Sequence, residues 1–533
     1  MTQYRELFPF FQHSSSIYLD SAATSQRLRS VIEQQQDYYH TSNASVHRTS
    51  YALAQSATKA YEHSRASVAR LINADKPDNI VFTSGATESL NLIALGLQTQ
   101  HLTGNKILLC RSEHHANILP WQRFAKQHNY QLEVVNLSTN ASYGENQLSA
   151  TLAQLNDDVA VLAMAHVSNA LGNIYPVAEL IAAAKPYNIL SVIDGTQAIA
   201  HLSVDVQALD CDFYVFSGHK MYGPTGVGIC YGKSHRLEQL LPYKLGGEMI
   251  SSVSFEQYQY APVPYRFEGG TPNIAGVIGL APACEFLQQQ GEQIFQHEQS
   301  LYQYLIDALQ KFKGLRLWGN VEESIATLAF TIYDVNTDDL AALLYQQNIA
   351  IRAGHHCAMP LLQSLQLDGL LRVSLACYNQ KTDIDAFVLA LAKALELLQA
   401  HDNGVQTNSN YTDDLATIRH ARDWAEMSRQ LMLLSKSLPS LPIEQRIPAH
   451  KVAGCEHQLW LWISPEQKVY AYSESKLIRG ILFVLLQQAN KLTTEARKQF
   501  DFAAFLQELG VTKYFSQGRQ NGINNAIALI QRG

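Results

Sequence analysis

A chain of 533 residues exceeds what one hydrophobic core holds, so two or three domains are expected. Forty basic residues against 47 acidic ones, a net charge of −7 and no dense Lys/Arg stripe argue against a nucleic-acid partner. Residues 1–16 lack the basic start and apolar core of a secretory signal, and the longest apolar run near the C-terminus, 481–486, is far too short to cross a membrane.

In chain order, apolar runs at 79–82, 106–110, 159–167, 190–193, 212–216 and 227–231 read as buried strands. Periodic stretches such as 89–97 and 177–185 read as the helices between them. That alternation predicts an α/β fold with a largely parallel sheet covered on both faces. A second α/β pattern follows from about residue 275 to 400, with a helix near 275–289, strands at 326–333 and 371–376, and a closing helix at 383–398. Segment 401–410 holds one aliphatic residue in ten among turn formers and reads as a linker. Beyond it come an amphipathic stretch at 415–438 ended by Pro439 and Pro442, a Gly454-Cys455 turn, the apolar run Leu459–Ile463 and two helical stretches parted near Gly510. About 120 residues suffice for a separate α+β domain. No internal repeat is present. Seven cysteines stand singly, without a CxxC pair, which suits reduced thiols in a cytoplasm.

The chemistry centres on Lys220, set just past the apolar run that ends at Phe216. A lysine held in a dry, walled site can bond to a pyridoxal cofactor, because burial lowers its amine pKa. Gly85-Ala86-Thr87 opens a helix after a strand and suits a phosphate, although many such turns bind none. His114 offers a flat ring to stack on a cofactor; a surface histidine pair or a metal ligand fits it as well. Asp194 ends a strand, where a carboxylate can pair with a pyridine nitrogen or simply cap the next helix. Gln197 can reach a phenolic oxygen, and Ser217 and His219 can reach phosphate. The spacing His355-His356-Cys357 is no recognised zinc pattern, so no metal is expected.

Six strings carry a specific resemblance over residues 1 to about 400: YLDSAAT at 18–24, SVHR at 45–48, EHHANILPWQ at 113–122, SGHKMYG at 217–223, RFEGGTPN at 266–273 and GHHCAMP at 354–360. The stretch resembles a fold type I pyridoxal 5'-phosphate enzyme of the class V aminotransferase superfamily, and more narrowly the SufS/CsdA group of cysteine desulfurases. The resemblance implies a large cofactor-binding part at about 15–275 and a small part at about 276–400 plus the N-terminal segment. It implies that Lys220 carries the cofactor, His114 stacks on it, Asp194 pairs with its ring nitrogen and Gln197 bonds its phenolic oxygen. Thr87, Ser217 and His219 would hold the phosphate, Thr271 would reach the phosphate of a neighbouring subunit in a homodimer, and Asn169 and Arg372 would grip the substrate carboxylate. Gly269 departs from the family's usual alanine.

Desulfuration of L-cysteine to L-alanine requires a nucleophilic thiol, and the resemblance gives that role to Cys357, leaving a persulfide. Arg352, His355 and His356 beside it favour a thiolate, whereas Cys110 and Cys230 lie inside strands. After the linker at 401–414, residues 415–533 resemble the SufE/CsdE sulfur acceptors through Trp424, LPSLP at 438–442, VAGCEHQLW at 452–460, SKLIRG at 475–480 and GRQNG at 518–522. Cys455 would then take sulfane sulfur from Cys357, with Arg519 stabilising the transfer site or forming a plain salt bridge, and a downstream protein would receive it for iron–sulfur cluster assembly or other sulfur trafficking. A linker of that length spans on the order of 20 Å, which makes the acceptor effectively concentrated. Selenocysteine lyase (with L-selenocysteine as substrate), a class V aminotransferase and a non-enzymatic sulfur-carrier scaffold are the rival readings.

Overall fold

Seven strands form the central sheet: β1 (Ile80–Thr83), β2 (Lys106–Cys110), β3 (Gln131–Val135), β4 (Val159–Ala165), β5 (Leu190–Asp194), β6 (Phe213–Ser217) and β7 (Gly228–Gly232). The structure, a computed structural model, describes residues 4–48, 50–135, 145–400, 415, 417–421, 424–454, 458–514 and 517–532. The spatial order of the sheet is β1-β7-β6-β5-β4-β2-β3. Strands β3, β2, β4, β5 and β6 run parallel, with Asp194 level with Ala165 on one side and Val215 on the other. Strand β7 runs antiparallel to both β6 and β1, so the expected parallel sheet carries one reversed strand. Along each strand successive side chains feed opposite faces. Val81, Leu109, Phe213 and Val215 enter one core, and Phe82, Leu108, Tyr214 and Phe216 the other. Burial on both faces explains why these strands read as unbroken apolar runs. A Cβ on Gly228 would lie 2.3 Å from the Gly85 backbone, and this close approach seats the β1 turn against β7.

Helices α1 (Ala52–Leu71), α2 (Ala86–Gly96), α3 (Leu119–His128), α4 (Val177–Ala184) and α5 (Leu280–Leu309) belong to the same compact unit, which comprises residues 1–331 and 355–383. Helix α5 extends well beyond the expected 275–289. A second sheet places β8 (Leu315–Trp318) beside β9 (Thr327–Ile332) and β9 beside β10 (Leu370–Ser374), with β9 antiparallel to β10. The N-terminal segment bridges to β10 at Asp20 and Ser374.

The second compact unit comprises residues 332–354 and 384–533. It contains α6 (Thr337–Gln346), most of α7 (Lys381–Ala400), α8 (Trp424–Leu434), the hairpin of β11 (Leu459–Ile463) and β12 (Val469–Ser473), α9 (Lys476–Ala489), α10 (Thr494–Gln499), α11 (Phe502–Glu508) and α12 (Gln517–Arg532). The amphipathic stretch expected at 415–438 is thus regular α-helix from Trp424 to Leu434, and the two expected C-terminal helical stretches are four helices. A Cβ on Gly480 would meet the Leu431 carbonyl at 1.9 Å, so α9 crosses α8 at backbone contact. The expected linker, 401–414, lies outside the described residues. No helix among those described is long and apolar enough to cross a membrane.

Candidate active site

The site is built at the C-terminal ends of the parallel strands, where an open α/β sheet places its ligands. Strand β6 ends at Ser217, and one turn, Gly218–Lys220, turns the chain sharply after it. Ser217 Oγ accepts from the Ala86 N–H at 2.9 Å, at the start of α2. Thr87 follows in that first turn and is exposed. A hydroxyl that accepts from an amide keeps its own proton to donate, which suits an anion at a helix N-terminus. Asp194 closes β5, almost wholly buried, and its Oδ1 accepts from the Thr196 N–H at 3.0 Å.

The N-terminal segment 20–25 runs through the site and touches four of its parts. Gln197 donates to the Ala22 carbonyl at 2.8 Å. His219 Nδ1 lies 3.2 Å from Thr24 Oγ1, and the His219 carbonyl accepts from the Ser25 N–H at 3.0 Å. Asp20 Oδ1 accepts from Arg372 at 2.8 Å, and Ser374 Oγ accepts from the Ala22 N–H at 2.9 Å. Burial, aided by Lys220 and Arg27, lowers the His219 pKa to about 4, so this imidazole is neutral at pH 7.

Arg372, itself buried, donates to the Asn169 carbonyl at 2.6 Å, and the Asn169 amide donates to the His356 carbonyl at 2.6 Å. His356 and Cys357 both adopt left-handed backbone, with φ of 50° and 57°. Two successive non-glycine residues there store strain that neighbouring contacts must hold. Those contacts are on hand. The Cys357 N–H donates to His355 Nδ1 at 3.0 Å, its carbonyl accepts from the His115 N–H at 2.8 Å, and His115 Nε2 accepts from the Met359 N–H at 3.1 Å. The rings of His115 and His355 stack with centroids 5.7 Å apart. Among the six described cysteines only Cys357 is not buried. Burial pushes the thiols of Cys211, Cys230 and Cys284 up to about 12, leaving them inert.

His114 Nδ1 accepts from the Ala116 N–H at 3.1 Å, which fixes the ring and places the proton of the neutral form on Nε2. Behind it Glu113 is fully buried, accepting from the Ala165 N–H at 2.9 Å and from the Asn117 amide at 2.7 Å. Burial raises its pKa to about 8 despite those donors.

Hydrogen bonds and chain adjacency therefore join Thr87, Ser217, Lys220, His219, Gln197, Arg372, Asn169, Cys357 and His114 into one neighbourhood, with Asp194 three residues before Gln197. Thr271 is not among them. It is exposed and lines a separate cavity of about 580 Å³ with His47, Arg48, Glu248, Tyr265 and Glu268. Cys455 lies outside the described residues; Gly454 before it has φ 77°. Arg519, in the second unit, pairs with Asp338 at 3.1 Å. Asp20, Glu113, His115 and His355 are the participants to which sequence reasoning gave no positioning role, although all four lie in strings already singled out and His355 was read only as a charge beside Cys357. No cluster of three or more His, Cys, Asp or Glu placed to hold a metal occurs among the described residues.

Residues 17–387 match the class-V aminotransferase family, and residues 413–533 match SufE, the Fe-S metabolism associated domain. A probable cysteine desulfurase from Pseudomonas putida is 42% identical over 389 residues, covering 73% of this chain and 96% of the relative. The crystal structure of the cysteine desulfurase CsdA from Escherichia coli is 40% identical with a TM-score of 0.69, covering 74% of this chain and 98% of that one. A cysteine desulfurase from Thermococcus onnurineus is 35% identical, also with a TM-score of 0.69, over 74% and 97% of the two chains. The chain belongs to the class-V aminotransferase family, among its cysteine desulfurase homologues, and continues into a SufE domain.

Proposed function

We propose that this chain is a pyridoxal 5'-phosphate-dependent cysteine desulfurase that converts L-cysteine to L-alanine and relays the sulfur from Cys357 to Cys455. What carries the reading is the pairing of Cys357, the one unburied cysteine described, with the Lys220 neighbourhood through Asn169 and His115.

The residues present fit the cofactor. Ser217 has a proton to spare beside the α2 N-terminus, His219 is neutral and able to donate, Asp194 has one oxygen engaged by Thr196 and another to offer a ring nitrogen, and His114 has its ring plane set by Ala116. The bound cofactor supplies an electron sink at the substrate Cα. Lys220 takes the Cα proton as general base. Arg372 and Asn169 orient the substrate carboxylate, Arg372 as the charged partner. The Cys357 thiolate attacks the substrate Sγ; the Sγ–Cβ bond breaks, a new S–S bond forms, and Cβ gains a proton to give L-alanine. One L-cysteine and one Cys357 thiol thus become one L-alanine and one Cys357 persulfide. The Cys455 thiolate then attacks the outer sulfur, and Cys357 leaves as thiolate. The contacts from His355, His115 and Asn169 that hold the left-handed backbone at His356 and Cys357 keep the thiol at a fixed point.

We further propose a homodimer in which Thr271 serves the neighbouring subunit, an arrangement supported by its exposure and its place in a cavity whose lining does not include Lys220. Cysteines that stand singly in the sequence, without a CxxC pair, suit a reducing cytoplasm, and the sulfur's destination is a downstream acceptor for iron–sulfur assembly or other sulfur trafficking. Cys357→Ser tests the reading: it should retain the visible absorbance of the bound cofactor and lose alanine release from L-cysteine. Unchanged alanine release in that variant would remove Cys357 as the sulfur-accepting thiol, and formation of the 2-oxo acid of cysteine in place of alanine would favour aminotransferase-type chemistry instead.

A further inference from the structure

Asp339 is a carboxylate with 1% exposure in the first turn of α6, and both its oxygens face the start of another helix. Oδ1 accepts from the Ser475 hydroxyl at 2.8 Å and from the Leu477 N–H at 3.2 Å, while Oδ2 accepts from the Lys476 N–H at 2.6 Å. Ser475 is the N-cap of α9 and its Oγ also accepts from the Ile478 N–H at 3.2 Å. Helix N-termini carry partial positive charge and unpaired amides. Asp339 answers two of them at once, because α6 begins beneath it with the Asn336 side chain accepting from the Asp338 and Asp339 amides at 3.1 Å each.

Two further contacts reinforce the seat. Asp338 pairs with Arg519 at 3.1 Å, their side chains 13% and 14% exposed. Lys476 Nζ donates to the Leu398 carbonyl at 2.9 Å, in the last turn of α7, where a cation suits the negative helix end. Residues 475–477 and 519 lie in the span that matches SufE, whereas 338 and 339 lie in the span that matches the class-V aminotransferases. All belong to the second compact unit.

We propose that Asp338 and Asp339 form a docking socket on which the chain seats its own sulfur-acceptor part. The linker is then not the acceptor's only attachment, and α6 fixes its position through a buried carboxylate capping α9 and an ion pair to Arg519. The socket stands on geometry alone; only its effect on sulfur delivery rests on the relay proposed above.

Hydrogen exchange on the full-length holoenzyme, read by mass spectrometry, tests it. Amides in the first turn of an isolated helix have no intrahelical acceptor, so protection at Lys476 and Leu477 reports Asp339 directly. Asp339→Ala should speed exchange there by about tenfold or more, with β11 and β12 unchanged. Asp338→Arg should loosen the same peptide, and the exchange D338R/R519D should restore it. If Asp339→Ala unfolds the C-terminal part, Asp339→Asn, which keeps one acceptor oxygen, reads the same two amides. In a second arm, label transfer to Cys455 should slow by about tenfold in Asp339→Ala, while alanine release with an added small thiol stays at the parent rate. Fast exchange at Lys476 and Leu477 in the parent protein, or unchanged exchange in Asp339→Ala, overturns the socket. Absence of alanine release from the parent overturns the desulfurase reading and leaves the exchange result standing.

Discussion

Arg372 reaches the reactive loop through Asn169: its guanidinium donates to the Asn169 carbonyl at 2.6 Å, and the Asn169 side chain donates to the carbonyl of His356, next to Cys357, at the same distance. Asn169 thus ties Arg372, through its backbone carbonyl, to the neighbour of Cys357, through its side chain. Asn169→Ala should lower kcat/KM for L-cysteine by roughly 100-fold, since a misplacement of about 1 Å costs that much. KM should rise and kcat fall together, with cofactor absorbance intact. Steady-state kinetics on the purified variant check this, and an effect confined to KM would place Asn169 at the carboxylate alone.

His355 holds the left-handed turn from below by accepting from the Cys357 N–H at 3.0 Å. Strain of roughly 1–3 kcal/mol at each such residue persists only while neighbours hold it. His355→Ala removes one acceptor, worth about 1 kcal/mol. The turn should relax, and kcat should drop about fivefold, with KM and cofactor content close to the parent values. A kcat equal to the parent's would show that the turn needs no such support.

Glu113 makes stability depend on pH. Its pKa rises from 4.5 to about 8, chiefly because burial disfavours the carboxylate. A folded-state pKa above the unfolded one means that its contribution is fully present below pH 4.5 and is lost as pH rises toward 8. The loss is on the order of a few kcal/mol. Glu113→Gln should therefore flatten the decline of unfolding free energy across that window. Parallel stability profiles for the two proteins would contradict the assignment.

Much of the fold was legible because the central strands are buried on both faces and appear as plain apolar runs. Strand β3 escaped because it is an edge strand in which only Val135 is buried, so no run stands out. The reversal of β7 is equally hidden, since a strand's direction leaves no mark on its hydrophobic pattern. In the site, residues with a chemical signature, such as Lys220, Asp194 and Cys357, were visible. His115 acts through the backbone of Cys357 and Met359 and Asp20 through the Arg372 guanidinium, partners distant in sequence that only the folded chain reveals. His355 acts on the Cys357 N–H in a turn whose shape its sequence does not show. Arg519 was read either as stabilising the transfer site at Cys455 or as forming a plain salt bridge; it pairs with Asp338, a partner to which nothing in its local sequence pointed.

The loop that carries Thr271 is anchored by a buried ion pair. Arg65 donates to both oxygens of Glu268, at 2.7 and 3.0 Å, and the Phe82 N–H and Tyr61 hydroxyl donate to the same carboxylate. Removing one partner of a buried pair strands the other charge, at about 3–5 kcal/mol. Glu268→Ala should lower stability by about that amount in denaturant titration, and Glu268→Gln by less. A loss below about 1 kcal/mol for the alanine variant would show that Arg65 finds other partners.

The relay itself is tested most directly by mass spectrometry of the full chain after a single turnover with L-cysteine, together with the amount of L-alanine released. The expected result is one extra sulfur atom per L-alanine, found first on the Cys357 peptide and then on the Cys455 peptide, with none on Cys455 when Cys357 is serine. Sulfur on Cys455 in that serine variant, or alanine release without sulfur on Cys357, would contradict it.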